Sequence, residues 1–170
     1  MPQYADDLIR NILRSTKTIA MVGASGNEMR PSYFAMKYLL GKGFLIRPVN
    51  PGLAGKEILG QPVYGSLHEV PAPIDMIDIF RTSDAALGIV KEALAEKRRL
   101  GLETIWMQLG VINEDAAALA REAGLTVIMD RCPKIEYGRM SGEISWMGVN
   151  RKLIDNRKPL LFSKGGALKR

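Results

Sequence analysis

Five short, mostly apolar segments recur along the chain; the first, third and fourth are each followed by a turn and then by a helical pattern, and the second by a turn-rich stretch over residues 52–73. They cover residues 17–22, 44–49, 74–80, 104–108 and 125–130. Strands that are buried on both faces of a sheet have this apolar character. Strands that alternate with helices at such intervals predict a mainly parallel sheet covered by helices on both faces. The predicted fold class is therefore α/β and doubly wound, with five strands.

Helix-starting residues indicate where the helices lie between the strands. Leucine and isoleucine at helical spacing predict a first helix within residues 4–15. Pro31 suits the first position of the second helix, where its missing N–H is not needed. Ser83 is predicted to cap a long third helix, and Asn113 a fourth. The chain after Cys132 is expected to be looser, and residues 63 and 64 could form a minor strand.

The charge distribution divides the chain into a neutral body and a basic tail. A chain of 170 residues is about one domain, and we predict a folded domain over residues 1–140 and a tail over 141–170. Residues 1–138 hold 16 basic and 16 acidic side chains, whereas residues 139–170 hold 8 and 2. The tail could contain helix around residues 148–156. It carries no nucleic-acid-binding motif, so we expect it to lie in solvent or to pack on a partner subunit, which leaves a homo-oligomer open.

Three features of the sequence indicate the cellular compartment of the protein. No apolar run is long enough to cross a bilayer, and the N-terminus lacks the basic-then-apolar pattern of a signal peptide. Cys132 is the sole cysteine, which excludes an internal disulfide and fits a reducing compartment. We therefore expect a cytoplasmic protein without a membrane partner.

The loop after the first strand is a candidate phosphate site, because ligands of doubly wound sheets bind beyond the carboxyl ends of the strands. It reads Gly23-Ala24-Ser25-Gly26 and leads into a helix. Backbone N–H groups at a helix start attract phosphate, and small residues let a phosphate approach closely. Ser25 adds a hydroxyl donor, and Arg30 could pair with a phosphate through two parallel hydrogen bonds. Gly23 could also simply form the turn.

The loop after the second strand argues against NAD. A typical NAD site has an acidic residue about 20 residues beyond the glycines, which holds the ribose hydroxyls. Here the strand ends in Asn50-Pro51 with no acid, and Lys56 follows. A cation in place of the acid favours a phosphorylated ribose, which both NADP and coenzyme A carry. Lys56 could equally be a solvated surface lysine.

The third and fourth strands end in residues that could line a cleft. Phe80 could contact an adenine or belong to the core, and Arg81 follows it at the carboxyl end of the strand. Met107 and Gln108 end the fourth strand and could line the outer part of the cleft. Core packing is an equal explanation for Met107.

Seven short motifs follow one another in a recognisable order. They read GAS from Gly23, RPSY from Arg30, PVNP from Pro48, GK from Gly55, DMIDIFR from Asp75, WMQLG from Trp106 and MDRCP from Met129. In combination they resemble the single-domain bacterial and archaeal CoA-binding proteins, which are relatives of the CoA-binding domain in the alpha subunit of succinyl-CoA ligase. The resemblance covers roughly residues 5–140 and implies a Rossmann-like fold.

The resemblance also implies a role for each motif. The pyrophosphate of CoA would be held by Gly23, Ala24, Ser25, Arg30, Pro31 and Ser32. The phosphorylated adenosine would be held by Asn50, Pro51 and Lys56. Phe80 and Arg81 would flank the adenine or pyrophosphate, and Met107 and Gln108 would line the way to the pantetheine arm.

We find no residues that clearly perform catalysis. His68 is the only histidine, and it matches no phosphohistidine motif. One histidine and one cysteine cannot supply three or four metal ligands, so no metal site is expected. Cys132 is the one reactive candidate, because Arg131 and Lys134 flank it and nearby cations lower the pKa of a thiol. It could form a mixed disulfide with the CoA thiol, or it could be buried and inert.

These observations favour a non-catalytic module that binds, carries or senses CoA or an acyl-CoA. Two alternatives stay open. One is an NADP-linked oxidoreductase on the same fold, although nothing resembles a catalytic tyrosine–lysine pair. The other is a regulatory protein that uses the basic tail on a macromolecule.

Overall fold

The computed structural model describes residues 2–143. The helices of this part are α1 (Asp6–Ser15), α2 (Pro31–Gly41), α3 (Ser83–Leu100), α4 (Glu114–Glu122) and α5 (Pro133–Met140). Its strands are β1 (Thr18–Val22), β2 (Leu45–Val49), β3 (Glu57–Ile58), β4 (Gln61–Pro62), β5 (Met76–Ile79), β6 (Thr104–Met107) and β7 (Thr126–Ile128). The predicted helix around residues 148–156 lies outside the described residues, as does nearly all of the basic tail.

The five longer strands form one sheet in the order β2-β1-β5-β6-β7, and all neighbouring pairs are parallel. The chain passes from β1 outward to β2 and then returns across β1 to β5. The strand order therefore reverses between β1 and β5, and a crevice is expected at the carboxyl ends of these two strands. The prediction of a doubly wound, Rossmann-like α/β fold is confirmed.

A hydrophobic core lies on each face of the sheet. The first packs α3 and α4 against side chains that include Ile77 and Met107. The second packs α1, α2 and α5 against side chains that include Met76 and Trp106. Successive residues of a strand point to opposite faces, so β5 and β6 contribute alternately to the two cores.

The predicted helix starts are correct at Asn113 and wrong at Ser83. The Asn113 side chain caps α4 by accepting a hydrogen bond from the N–H of Ala116 at 2.8 Å. Ser83 is already inside α3, whose N-cap is Thr82. The Ser83 hydroxyl instead accepts the N–H of Ile112 at 3.0 Å, which joins the start of α3 to the loop after β6.

Two other local predictions need correction. The chain after Cys132 is not loose, because Pro133 begins α5 with the fixed φ angle that suits a first helical position. The minor strand predicted at residues 63 and 64 is limited to one bridge between Val49 and Tyr64, and the short hairpin lies just before it, in β3 and β4.

Candidate functional site

The loop after β1 comprises residues 23–26 and is called the glycine loop below. It packs closely against the ends of β2 and β5. Gly23 has a φ of +87°, and its N–H donates to the carbonyl of Val49 at 2.9 Å. A Cβ at this position would lie 2.3 Å from the carbonyl oxygen of Phe80, which no side chain tolerates. Glycine is therefore required here, and it brings the loop directly onto the point where the strand order reverses.

Hydrogen bonds within the loop decide which N–H groups remain for an anion. The Ser25 N–H donates to the hydroxyl of Ser32 at 3.1 Å, and the Ser25 hydroxyl accepts the N–H of Asn27 at 3.1 Å. The backbone donor of Ser25 is thus already used. The N–H groups of Ala24, Gly26 and Ser32 form no hydrogen bond to other residues of the 2–143 segment, so they are the donors that this loop and the start of α2 offer to an anion.

Asn50 connects the loops that follow β1 and β2. Its Nδ2 donates to the carbonyl of Ala24 at 2.8 Å, and its Oδ1 accepts the N–H of Gly52 at 2.9 Å. Pro51 follows in an exposed 3₁₀ turn. Both ends of the Asn50 amide are engaged within the protein, so the residue positions the glycine loop and keeps one N–H for a ligand.

Three cations lie around the loop. Arg30 is exposed at the N-cap of α2, and Arg81 is exposed just after β5. Lys56 is exposed in the turn before β3, and that strand is close to the loop: a Cβ at Gly26 would contact the Ile58 side chain at 3.9 Å. None of the three cations forms an ion pair with another described residue. Their charges are therefore available to an anionic ligand.

A cleft of about 520 Å³ lies beside this loop, between α2, the ends of β5 and β6, and the start of α5. Five residues singled out in the sequence line it, namely Pro31, Phe80, Arg81, Gln108 and Cys132. The structure thus brings together residues from four separate loops at one edge of the sheet. Pro31 belongs both to the cleft and to the helix start beside the glycine loop.

Met107 does not contribute to the cleft. It is fully buried in the core on the α3 and α4 face, whereas Gln108 lines the cleft. Adjacent residues of a strand point to opposite faces, so Met107 and Gln108 could not both line one cleft. Of the two explanations considered for Met107, core packing is the one that agrees with the structure.

Much of the cleft wall comes from residues that the sequence reasoning missed. Exposed apolar side chains surround its opening, and these are Met29, Phe34, Leu109 and Ile135. Lys134 stands beside them with its Nζ 5.9 Å from the centre of the Phe34 ring. The one available signal was Leu109, an apolar residue in a loop that follows a strand. The others could not be placed without knowing how α2 and α5 pack together.

A buried carboxyl group lies next to the cleft. Asp78, on β5, is fully buried, and both its carboxyl oxygens accept from Nε2 of Gln108, at 2.9 and 3.1 Å. Burial raises the pKa of Asp78 to about 8, and the Gln108 hydrogen bond opposes this only in part. At neutral pH the folded protein therefore holds Asp78 mainly in its neutral form.

The expectation that Cys132 has a lowered pKa is wrong. Burial raises the pKa of this thiol, and the charge of Asp78 acts in the same direction. Hydrogen bonds from backbone N–H groups of Ile135 and Lys134, together with the Lys134 charge, oppose the rise without overcoming it. The thiol lines the cleft but is only 8% exposed.

Other features contribute nothing to this site. His68 is exposed in a 3₁₀ turn, where its Nδ1 lies 2.8 Å from Oε1 of Glu96 on α3, and it is not among the cleft residues. Among residues 2–143 there is no group of three or more side chains that could hold a metal ion. The same segment contains no helix that combines the length and the apolar character of a transmembrane span.

A glycine turn at the reversal of a doubly wound sheet, with a cleft beside it, is the arrangement found in the class of α/β domains related to the Rossmann fold. Comparison with known families narrows this class. A family model described as the CoA binding domain matches residues 17–138, and the chain belongs to this family.

Proteins similar to this chain are known from bacteria and from design. The uncharacterized protein YneT of Bacillus subtilis is 37% identical over 129 residues, which are 76% of this chain and 91% of YneT. Prb, the PH1109 protein redesigned for binding, is 35% identical with a TM-score of 0.77, over 86% of this chain and 99% of Prb. The cell-free ID.343 protein of Thermus thermophilus is 34% identical with a TM-score of 0.73, over 80% and 98% of the two chains.

Proposed function

We propose that this protein binds coenzyme A, or an acyl-CoA, at the carboxyl edge of its sheet and acts as a non-catalytic binding, carrier or sensor module. The observation that carries the proposal is the joining of two subsites of different chemistry. The glycine loop and the start of α2 offer N–H groups without a partner and are surrounded by cations without an ion pair, whereas the adjoining cleft has a mostly apolar lining. CoA has the same division, with phosphates at one end and a pantetheine arm at the other.

The proposed contacts follow this division. The pyrophosphate lies against Gly23, Ala24, Ser25, Arg30, Pro31 and Ser32. The phosphorylated adenosine lies against Asn50, Pro51 and Lys56, in the space between the glycine loop and β3. Phe80 and Arg81 stand where the two subsites meet, and Gln108 lies along the path of the pantetheine arm. Family membership supports the same ligand.

The role of Lys56 is tested by removing the phosphate that it is proposed to hold. Wild-type protein is expected to bind CoA about tenfold more tightly than dephospho-CoA, since a charge-assisted hydrogen bond contributes roughly 1.5–3 kcal/mol and exposure reduces this. Lys56→Ala should lose that preference while binding dephospho-CoA as before. Lys91→Ala, which removes an exposed lysine from α3, is the matched control. A preference that survives Lys56→Ala would contradict the assignment.

Cys132 is proposed to accept CoA through thiol–disulfide exchange. The Cys132 thiolate attacks one sulfur of CoA disulfide, the S–S bond of the disulfide breaks, and CoA leaves as a thiolate that takes up a proton. Because burial raises the pKa of the thiol, the adduct should form slowly at neutral pH and faster as the pH rises. Intact mass after incubation with CoA disulfide measures it. An adduct that persists in Cys132→Ser, or no adduct at pH 9, would refute the exchange.

A further inference from the structure

We propose that an apolar groove at the amino ends of β1 and β2 binds residues 144–147 of the same chain, which attaches the start of the basic tail to this edge of the sheet. The groove lies at the edge opposite the CoA cleft and shares no lining residue with it. Its proposed occupant comes directly after the described part of the chain. The inference goes beyond the proposed function and does not depend on it.

The groove has an apolar base and an apolar rim. Its volume is about 450 Å³, and it is formed where the chain enters β1 and β2. Leu13, Phe44 and Tyr137 line it and are buried, and the two rings pack edge to face with their centres 5.7 Å apart. Leu45, the first residue of β2, also lines the groove, although 55% of its surface is exposed. A second apolar segment would remove this leucine from water.

The last described residue is held beside the groove. Lys42, which lines the groove, forms a buried ion pair with Glu143. The Glu143 carboxylate also accepts the hydroxyl of Tyr38 at 2.7 Å, and the Glu143 N–H donates to the carbonyl of Gly138 at 3.0 Å. A buried ion pair resists separation, because removing one partner leaves an uncompensated charge. The chain therefore continues to residue 144 from a fixed point next to the groove.

The residues that follow have the composition and the length that the groove requires. Ile144, Trp146 and Met147 are apolar, and Ser145 is small. Four extended residues span at most about 14 Å, which is enough to cross a groove of this size. A tryptophan offers the largest apolar surface of any side chain that could cover Leu45. The segment and the groove are thus complementary in size and polarity.

Charge distinguishes this segment from the rest of the tail. Arg14 and Lys17 are exposed residues of the groove, and neither forms an ion pair with another described residue. Residues 148–170 hold seven basic side chains and one acidic side chain, so the two cations disfavour them in the groove. Residues 144–147 carry no charge. With these four residues bound, the basic part begins at the edge opposite the cleft, where an acidic partner would not compete with CoA.

Nuclear Overhauser spectra of the full wild-type chain test the contact directly. We expect cross-peaks between the indole protons of Trp146 and the methyl groups of Leu13 and Leu45. Trp146→Phe identifies the Trp146 signals, because the other tryptophan, Trp106, is fully buried in the core. A folded wild-type protein without these cross-peaks would overturn the proposal. The spectra are recorded without CoA, so their result is independent of the proposed function.

Acrylamide quenching measures how well the groove protects Trp146. The Trp146 fluorescence is the difference between wild type and Trp146→Phe, and we expect about threefold to fivefold less quenching than for free N-acetyltryptophanamide. Leu45→Gln keeps the side-chain size and removes its apolar end, and it should raise the quenching toward that of the free compound. Leu109→Gln makes the same change at a leucine of similar exposure on the opposite edge, 53% against 55%, and should have no effect. Equal quenching in wild type and Leu45→Gln would contradict binding in this groove.

Discussion

Replacing Gly23 by alanine is expected to destabilise the protein by about 3 kcal/mol or more and to abolish CoA binding. Two costs add at this position. The φ of +87° is strained for any residue with a Cβ, and that Cβ would lie 2.3 Å from the carbonyl oxygen of Phe80. The backbone of β5 cannot yield as a flexible side chain could, so the glycine loop must move away from the point where the strand order reverses.

Gly55→Ala is the matched control for this prediction. Gly55 has a similar φ of +81°, but a Cβ there would meet nothing within 4 Å. Its replacement should therefore cost only the backbone strain, about 1–2 kcal/mol. Chemical denaturation of both variants and titration with CoA provide the measurement. A Gly23→Ala protein that is as stable as Gly55→Ala and still binds CoA would show that the close approach of residue 23 to the Phe80 carbonyl is needed neither for stability nor for binding.

The free energy of unfolding is expected to fall as the pH rises from 5 to 8, because of Asp78. Its pKa is about 8 in the folded protein and 3.8 in the absence of burial. Well below the unfolded pKa of 3.8 both states hold the proton, whereas between the two pKa values the unfolded chain releases it and the folded protein keeps it. The stability contributed by the neutral carboxyl group is therefore lost progressively, by roughly 1.4 kcal/mol for each pH unit, or about 4 kcal/mol over this range.

Asp78→Asn isolates this effect from other titrating groups. The variant cannot ionise at residue 78, so the difference in unfolding free energy between wild type and variant should change by the amounts given above. Asp84→Asn makes the same chemical change at an exposed position of α3 and should leave the wild-type slope intact. Denaturant titrations at pH 5, 6, 7 and 8 measure all three proteins. Parallel curves for wild type and Asp78→Asn would contradict the account of a buried, neutral carboxyl group.

The sequence predicted the architecture because the signals for it are local. Apolar strands, proline at a first helical position and the Asn113 cap each act within a few residues. Ser83 was misassigned for the opposite reason: its hydroxyl bonds to Ile112, and this contact depends on how two loops meet in space. Local rules cannot anticipate such a partner. The start of α5 at Pro133 was missed although proline at a first helical position is itself a local signal.

The site residues that directly follow the strands could be predicted from the sequence. Those that α2 and α5 contribute to the cleft could not. The reversal of strand order brings the loops after β1 and β5 together, so the glycine turn, Phe80 and Arg81 could be placed from the chain alone. The apolar side of the cleft depends on the packing of α2 against α5, and Phe34 and Ile135 come from these helices. The pKa of Cys132 was misjudged because its sequence neighbours are cationic, whereas burial decides the direction.

Calorimetric titration of the wild-type protein shows whether the cleft and the glycine loop together bind CoA. Four ligands are compared under identical conditions: CoA, dephospho-CoA, NADP and NAD. We expect one CoA to bind per chain, with weaker binding of dephospho-CoA and still weaker binding of NADP and NAD, which lack the pantetheine arm. A preference for NADP, or no binding of CoA, would contradict the proposed function.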